Sequence, residues 1–367
     1  MTYEEVRARF PVLGRVAYLN AGTSGPLAQA TLDAIADELR RAGEDGRSGR
    51  DYYERTLARR ARVRRRIAAE IGARPEQLAL TESTTAGCNV VLAGLDLRPD
   101  DEVVITDTEH FGLLGPVIAS GAQVRVARLE QATGDAALER LLGEVTSRTR
   151  LLAVSHVSWI TGHRLDIARL KQASDVPLLV DGAQSVGAIP VDATVADFYT
   201  VSGQKWLCGP DATGALFVAD PESLRVARPS YHGQKSHDRL AATFEPRPDA
   251  SRFDTGWLPT PSLAGLEAAL DDLPPWRYDR SAELAARCSE LLAERFEVVS
   301  EAGHSTLVSF RASGDAAATA SHLLERGVVV RDIPDTDLVR VSCGWWNDES
   351  DIQRLVRQLD DVPVTTK

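Results

Sequence analysis

The chain predicts an α/β protein: a large domain on a mostly parallel central sheet, then a smaller C-terminal α+β domain. Three observations predict it. Between about residues 77 and 220, short runs that are apolar throughout alternate with helix-length segments. Strands buried on both faces read this way, and they belong in a parallel sheet covered by helices. Past Pro274-Pro275 the pattern becomes helix, strands and helix. The 367 residues, at roughly 150 per domain, also suffice for two cores. The expected division is an N-terminal segment 1–15, a large domain 16–262 and a small domain 263–367.

Taken in order, LALTE is a strand followed by the helix TTAGCNVVLAGL, and EVVITD is followed by FGLLGPVIASG. QVRVARL and RLLAVSHVS are strands, the latter leading to the helix DIARLKQAS; PLLVDGAQS, DFYTVSG and ALFVAD complete the series. Upstream, a helix near 51–72 carries Arg59, Arg60, Arg62, Arg64, Arg65 and Arg66 beside an apolar stripe of Leu57, Ala61, Ala68 and Ile71. A solvated basic face accounts for these arginines better than a nucleic-acid site. Residues 228–262 lack periodicity and hold five prolines, from Pro229 to Pro261, which reads as a functional loop or crossover. The small domain reads as the helix SAELAARCSELLAERF, strands TLVSFRA, GVVVRDI and LVRVSC, and the helix ESDIQRLVRQL. No internal repeat is evident.

Composition narrows the function. Lys and Arg number 42 against 53 Asp and Glu, a net charge of −11 with an isoelectric point near 5.2. That balance disfavours nucleic acid or an anionic membrane surface as a partner. Cys88, Cys208, Cys288 and Cys343 are too few and too scattered for a disulfide scaffold or a zinc site, and no metal site is expected. The charged start MTYEEVRARF and the lack of a long apolar run point to a cytoplasmic protein.

Lys205, in TVSGQKWLCGP, follows an apolar strand and precedes Trp206-Leu207. Most lysines are solvated surface charges. Here the setting would desolvate the amine, favour its neutral form and leave it nucleophilic. Asp181 ends the strand PLLVD; a turn or cap explains it adequately, but a carboxylate there also suits a protonated pyridine nitrogen. TESTTAGCN (81–89) is a good helix cap, and the same geometry aims N–H groups and hydroxyls at a phosphate. No GxGxxG or Walker pattern occurs, which disfavours dinucleotide and ATP readings. His110, in TDTEHFG, also lies just past a strand and would offer a stacking face to a planar cofactor.

The order of these motifs along the chain resembles the aminotransferase class V family of pyridoxal 5′-phosphate (PLP) enzymes, of fold type I. The resemblance runs from YLNAGTSGP to the closing helix. It implies PLP as cofactor, a homodimer and an amino-acid substrate. By it, Lys205 is the imine-forming lysine, Asp181 pairs with the pyridine nitrogen, Gln184 contacts the ring-hydroxyl side and His110 stacks on the ring. Thr84, Thr85, Ser202 and Gln204 hold the phosphate, and Arg340 in LVRVSCGWW grips the substrate α-carboxylate, a bidentate task suited to guanidinium. The sequence departs from the pattern at Gln204, where the family usually has His, and at Trp159, where cysteine desulfurases usually have Asn. FDTGW, with Thr255, stands where the family's Gly-Thr reaches the neighbouring subunit's phosphate.

TESTTAGCNVVLAG, SHVSWITG and GQKWLCGP look most like the subgroup of cysteine and cystine C–S lyases, close to isopenicillin-N-epimerase-like sequences. The implied reaction is β-elimination with Lys205 as base, yielding pyruvate, ammonia and a thiol or persulfide; a sulfur-accepting partner is left unassigned. RDIPDTD (331–337), before Arg340, holds no cysteine of the kind a desulfurase needs. Cys208 and Cys343 read as packed thiols. The alternatives are transamination, epimerisation or desulfuration by the same machinery, and a PLP-binding protein without catalysis. Trp257, Trp345 and Trp346 could wall a pocket, although core packing accounts for tryptophans more often.

Overall fold

A computed structural model describes residues 2–129 and 132–360. The helices are α1 Tyr3–Arg7, α2 Gln29–Glu44, α3 Gly49–Glu70, α4 Thr84–Gly94, α5 Phe111–Ala119, α6 Gly134–Gly143, α7 Ile167–Gln172, α8 Thr260–Asp271, α9 Arg277–Ala293, α10 Ala316–Glu325 and α11 Glu349–Leu359. The strands are β1 Ala17–Tyr18, β2 Leu78–Thr81, β3 Glu102–Thr106, β4 Gln123–Ala127, β5 Thr149–Ser155, β6 Leu178–Asp181 and β7 Phe198–Ser202. They continue with β8 Gly214–Val218, β9 Gln234–Asp238, β10 Thr243–Pro246, β11 Leu307–Arg311, β12 Val328–Val329, β13 Arg331–Asp332 and β14 Leu338–Ser342.

Seven strands form the central sheet in the order β2-β8-β7-β6-β5-β3-β4. All ladders are parallel except those of β8, which runs against both its neighbours. The expected α/β class with a mostly parallel sheet is therefore observed. Because side chains alternate across a strand, each strand feeds two cores. Leu80, Val104, Val154, Val180 and Val201 pack with α3, α6 and α8 residues such as Ile67, Leu141 and Leu266. Ala79, Ile105, Ala153, Leu179 and Leu216 pack on the other side with Val91 of α4 and Val117 of α5. Burial on both faces is why the strand sequences are apolar throughout. The edge strand β4 lacks one neighbour and most of its cover, and its QVRVA alternates accordingly.

The structure adds elements that the sequence reading left unassigned: α2, α6 and α10, and the hairpin β9–β10 inside the segment 228–262. GVVVRDI is not one strand. Val328–Val329 pairs in parallel with β1, whereas Arg331–Asp332 pairs with β14 in a separate antiparallel sheet, β11-β14-β13. Ala17 and Leu19 thus join the core formed by α9, α11 and this small sheet, while Leu263, Leu266 and Leu270 of α8 join the large core. By packing we propose that the small domain takes in residues around 17–19 and begins after α8, rather than at 263.

The arginines of α3 divide: Arg62, Arg65 and Arg66 are exposed, as a solvated face requires, whereas Arg59, Arg60 and Arg64 turn inward. Arg60 is 3% exposed and donates to Asp254 at 2.8 Å; Arg64 donates to the same carboxylate at 2.6 Å. Arg59 bridges Glu38 of α2 and Glu267 of α8, and Arg62 and Arg66 pair with Glu267 and Asp271. Only the acidic partners, distant in sequence, turn the inner side of this helix into an internal tie. Arg65 remains exposed.

Candidate active site

The carboxyl ends of β2, β3, β6 and β7 lie at one edge of the sheet, where ligands bind in open α/β folds. After β2, Ser83 caps α4 by accepting from Ala86 N at 3.1 Å. Thr84 and Thr85 open the helix at its positive end, where the first N–H groups lack intrahelical partners. After β3, His110 is the N-cap of α5, its Nδ1 accepting from Gly112 N at 3.0 Å. A Cβ on Gly112 would stand 2.7 Å from Thr85 Oγ1, so the two loops touch and the glycine permits it.

Asp181 ends β6 and is 3% exposed; its Oδ1 accepts from Ala183 N at 2.9 Å and Thr200 Oγ1 at 3.3 Å. Gln184 donates to Gly22 O at 2.8 Å and accepts from Trp206 Nε1 at 3.0 Å. It ties the N-terminal AGTSG loop to the turn that bears the lysine. After β7, Ser202 Oγ donates to Gln204 Oε1 at 2.8 Å, and Lys205 follows in a turn closed by Cys208 N to Lys205 O at 3.0 Å. Gly25 N bonds Gln204 O at 2.8 Å, and any side chain at Gly25 would overlap the Lys205 carbonyl.

Arg340 arrives from β14 of the small sheet. It is 2% exposed, its Nη1 donating to Trp159 O at 2.8 Å and its Nη2 to Thr23 Oγ1 at 3.4 Å. A Cβ on Gly22 would stand 2.7 Å from Nη2, so the loop leaves just enough room for the guanidinium. Among the described residues no carboxylate pairs with it, and its Nε is buried without a partner. Burial, with the nearby charge of Arg331, lowers it to about 10. A buried cation without a counter-ion is costly, and an anionic ligand would relieve that cost.

The electrostatics join these groups. Burial pushes the Lys205 amine down to about 8; Asp181 opposes the shift and Arg340 adds to it. His110 is lowered by burial and by Lys205. The structure therefore brings Lys205, Asp181, His110 and Arg340 into one electrostatic group, with Thr85 beside His110 and Gln184 bracing the loop against Arg340. Thr84, Ser202 and Gln204 stand at the same sheet edge. Trp345 and Trp346 do not wall the site: they lie in a core with Phe10 and Trp206. Trp257 is exposed, stacked on Tyr231 at 6.1 Å.

Sequence reasoning missed three residues. Glu109 accepts from Thr106 Oγ1 at 2.6 Å and Ser155 N at 3.0 Å, binding the β3 loop to the end of β5; burial raises it to about 7 despite these bonds. Its signal was an acid directly before His110. Tyr199 OH meets His156 Nδ1 and Ser185 Oγ at 2.6 Å each, behind Asp181. Nothing in the sequence marks that contact. Asp254 accepts from Leu80 N at 2.7 Å besides Arg60 and Arg64, and Thr255 N bonds Leu80 O at 3.0 Å, which fixes FDTGW beside the strand leading to α4.

The residues fit PLP. A lysine with a lowered pKa, an acid at a buried strand end, a histidine face and a hydroxyl-bearing helix N-terminus surround one sheet edge, and buried donors there lack partners. Fold and site together define a fold-type I architecture. The model of the family named aminotransferase class-V matches residues 16–355. Isopenicillin N epimerase of Amycolatopsis lactamdurans is 31% identical over 384 residues, covering 95% of both chains. A cysteine desulfurase of Enterobacter sp. strain 638 is 32% identical over 306 residues, covering 77% of this chain and 74% of the relative. Among solved structures, the cystine C–S lyase C-DES in complex with its product cysteine persulfide superposes with a TM-score of 0.88 at 28% identity, covering 96% of this chain and 99% of the other. A C-DES mutant with glycine covalently linked to its PLP cofactor reaches 0.90 at 28% identity, covering 97% and 99%. The chain belongs to the aminotransferase class V family of PLP-dependent enzymes.

No helix among the described residues is long and apolar enough to cross a membrane.

Proposed function

We propose that this protein is a PLP-dependent carbon–sulfur lyase that acts on cysteine, cystine or an S-substituted cysteine by β-elimination. PLP, when bound, supplies an electron sink for negative charge at the substrate Cα. Lys205 would hold the cofactor, and its Nζ, when free, would take the Cα proton; its lowered pKa keeps a share of the amine neutral near pH 7. Asp181 keeps the pyridine nitrogen protonated, and its two hydrogen bonds hold it in place for this. His110 would cover one ring face, Gln184 would brace the ring-hydroxyl side, and Thr84, Thr85, Ser202 and Gln204 would receive the phosphate. Arg340 orients the substrate by its carboxylate.

One observation carries the choice of elimination over desulfuration: Cys88, Cys208, Cys288 and Cys343 are all buried. Burial holds Cys208 and Cys88 well above the usual thiol range, and Cys343, beside Cys288 in the small core, is raised as well. Desulfuration needs an accessible thiolate that attacks the substrate sulfur. Elimination needs a base, a sink and a carboxylate anchor, for each of which the site has a group. The similarity to the cystine lyase C-DES supports this reading. The similarity to an isopenicillin N epimerase across 95% of both chains favours epimerisation through the same Cα deprotonation as the second reading. We further propose a homodimer in a reducing cytoplasm.

The test is a product screen. The holoenzyme is given cystine, S-substituted cysteines and common amino acids while pyruvate, sulfide, alanine and the D-isomers are followed. Pyruvate with sulfide or persulfide is expected; alanine as the main carbon product would replace elimination by desulfuration, and racemised substrate would favour epimerisation.

A further inference from the structure

Thr200 meets Asp181 across the β6–β7 ladder, where the two residues are paired in register on the face covered by α4. It is fully buried, and its γ-methyl packs on that helix: a Cβ on Gly87 would stand 2.9 Å from it. Both hydrogen bonds to the Asp181 carboxylate fall on Oδ1, from Ala183 N at 2.9 Å and Thr200 Oγ1 at 3.3 Å; among the described residues Oδ2 takes none. Thr200 Oγ1 in turn accepts from Gly182 N at 3.3 Å. A backbone N–H only donates and a carboxylate oxygen accepts, so the single hydroxyl proton of Thr200 points at Asp181. The other face of β7 steadies the same turn: Tyr199 OH meets Ser185 Oγ at 2.6 Å, and its ring fills the place of a Cβ on Gly182. With the backbone of the turn held, the carboxylate keeps one soft freedom, rotation about χ2, a torsion with broad wells.

We propose that Thr200 is a positioning residue: by pinning Oδ1 of Asp181 it removes that rotation and presents Oδ2 to the pyridine nitrogen of PLP. This rests on the reading of Asp181 as the partner of that nitrogen. A carboxylate already turned toward its partner loses less freedom when the ring binds, which strengthens the contact. The β-branched side chain suits the task. Its two heavy atoms on Cβ restrict χ1, and the methyl seated against Gly87 leaves the hydroxyl on the Asp181 side. The helix it rests on is the one whose first turn carries Thr84 and Thr85. One side chain therefore relates the hydroxyl-bearing helix N-terminus to the acid at the strand end, the two features that fit the phosphate and the ring nitrogen.

The test titrates the full chain, stripped of cofactor, with PLP and with its 1-deaza analogue, in which CH replaces the ring nitrogen. Binding of each is read from the absorbance. The ratio of the two affinities reports the contact to the nitrogen, and general damage to the pocket leaves that ratio unchanged. Thr200→Val keeps the methyl against Gly87 and removes the hydroxyl. It should cut the ratio about three- to tenfold, the net worth of one hydrogen bond, with the deaza analogue bound within about twofold of the parent. Thr200→Ser should keep the parent's ratio and Thr200→Ala should fall with the Val variant. This pair repeats the comparison without the γ-methyl and covers the case in which the Val variant folds poorly. An unchanged ratio in the variants that lack the hydroxyl, even if both cofactors bind more weakly, overturns the proposal, and so does a Ser variant as poor as the Ala one. Asp181→Asn separates the two readings: if it keeps the parent's ratio, the pairing of Asp181 with the ring nitrogen fails, whatever Thr200 does.

Discussion

Lys205→Met, made in the cofactor-free protein, isolates the electrostatic character of the site. The amine is set among Arg340 and His110 and is lowered from 10.5 to about 8, by burial above all. A lysine depressed in the folded state is penalised wherever the unfolded chain keeps its proton. Below pH 8 both states are protonated and the whole penalty is present. Between about 8 and 10.5 the folded lysine is neutral while the unfolded one still binds a proton, so stability rises with pH and the penalty fades. At 1.36 kcal/mol per pH unit, the shift corresponds to no more than about 3.4 kcal/mol, less what remaining solvent contact screens. Met has a similar length and volume and no charge. The variant should therefore be more stable than the parent at pH 7, by roughly 1–3 kcal/mol, with the gain falling toward zero by about pH 10.5. Urea unfolding of both apoproteins at pH 7, 8.5 and 10 measures it. A variant equally stable or weaker at pH 7, or a gain that does not shrink with pH, would refute the account of Lys205 as a desolvated amine under Arg340.

Asp254→Asn leaves Arg60 and Arg64 without their carboxylate in a buried site and should cost about 3–5 kcal/mol, read from denaturant midpoints; a loss below 1 kcal/mol would show that α3 does not depend on this tie. Glu109→Gln should gain stability relative to the parent as pH rises from 5 to 8. Burial and the charge of Asp181 raise Glu109 to about 7, so the folded parent holds a proton that the unfolded chain has lost above about 4.5, and its stability falls across that window. Thermal melts at the two pH values check the sign. Cys208→Ala and Cys343→Ala should each retain substantial turnover, while Lys205→Ala abolishes it and Arg340→Ala raises KM more than it lowers kcat; loss of activity in either cysteine variant with alanine as product would restore the desulfurase reading.

Six strands of the central sheet were legible as apolar runs because they are covered on both faces, and burial on both faces leaves its mark along a strand; β4, at the edge and largely uncovered, reads as alternation instead. Lys205, Asp181, His110, Thr84 and Thr85 were legible as well, since each directly follows such a run and the carboxyl edge of a parallel sheet is where side chains converge. The helices α2, α6 and α10 were left unassigned although α6 and α10 bury residues at helical spacing, Ala137, Leu138 and Leu141 in the one and Ala316, Thr319 and Leu323 in the other.

What stayed hidden depends on partners far apart in the chain. The arginine row of α3 is the same sequence whether it faces water or Asp254, which lies 190 residues beyond Arg64. Trp159 and Arg340, separated by 181 residues, are joined by a hydrogen bond because β14 of the small sheet lies against the loop after β5. The sequence by itself determined which strands form the sheet and which candidate residues stand at their ends, because local patterning records burial. Which charges are neutralised, which donors are left unpaired and which thiols are out of reach were decided by tertiary structure, because desolvation and Coulomb energy depend on distance in space and not along the chain.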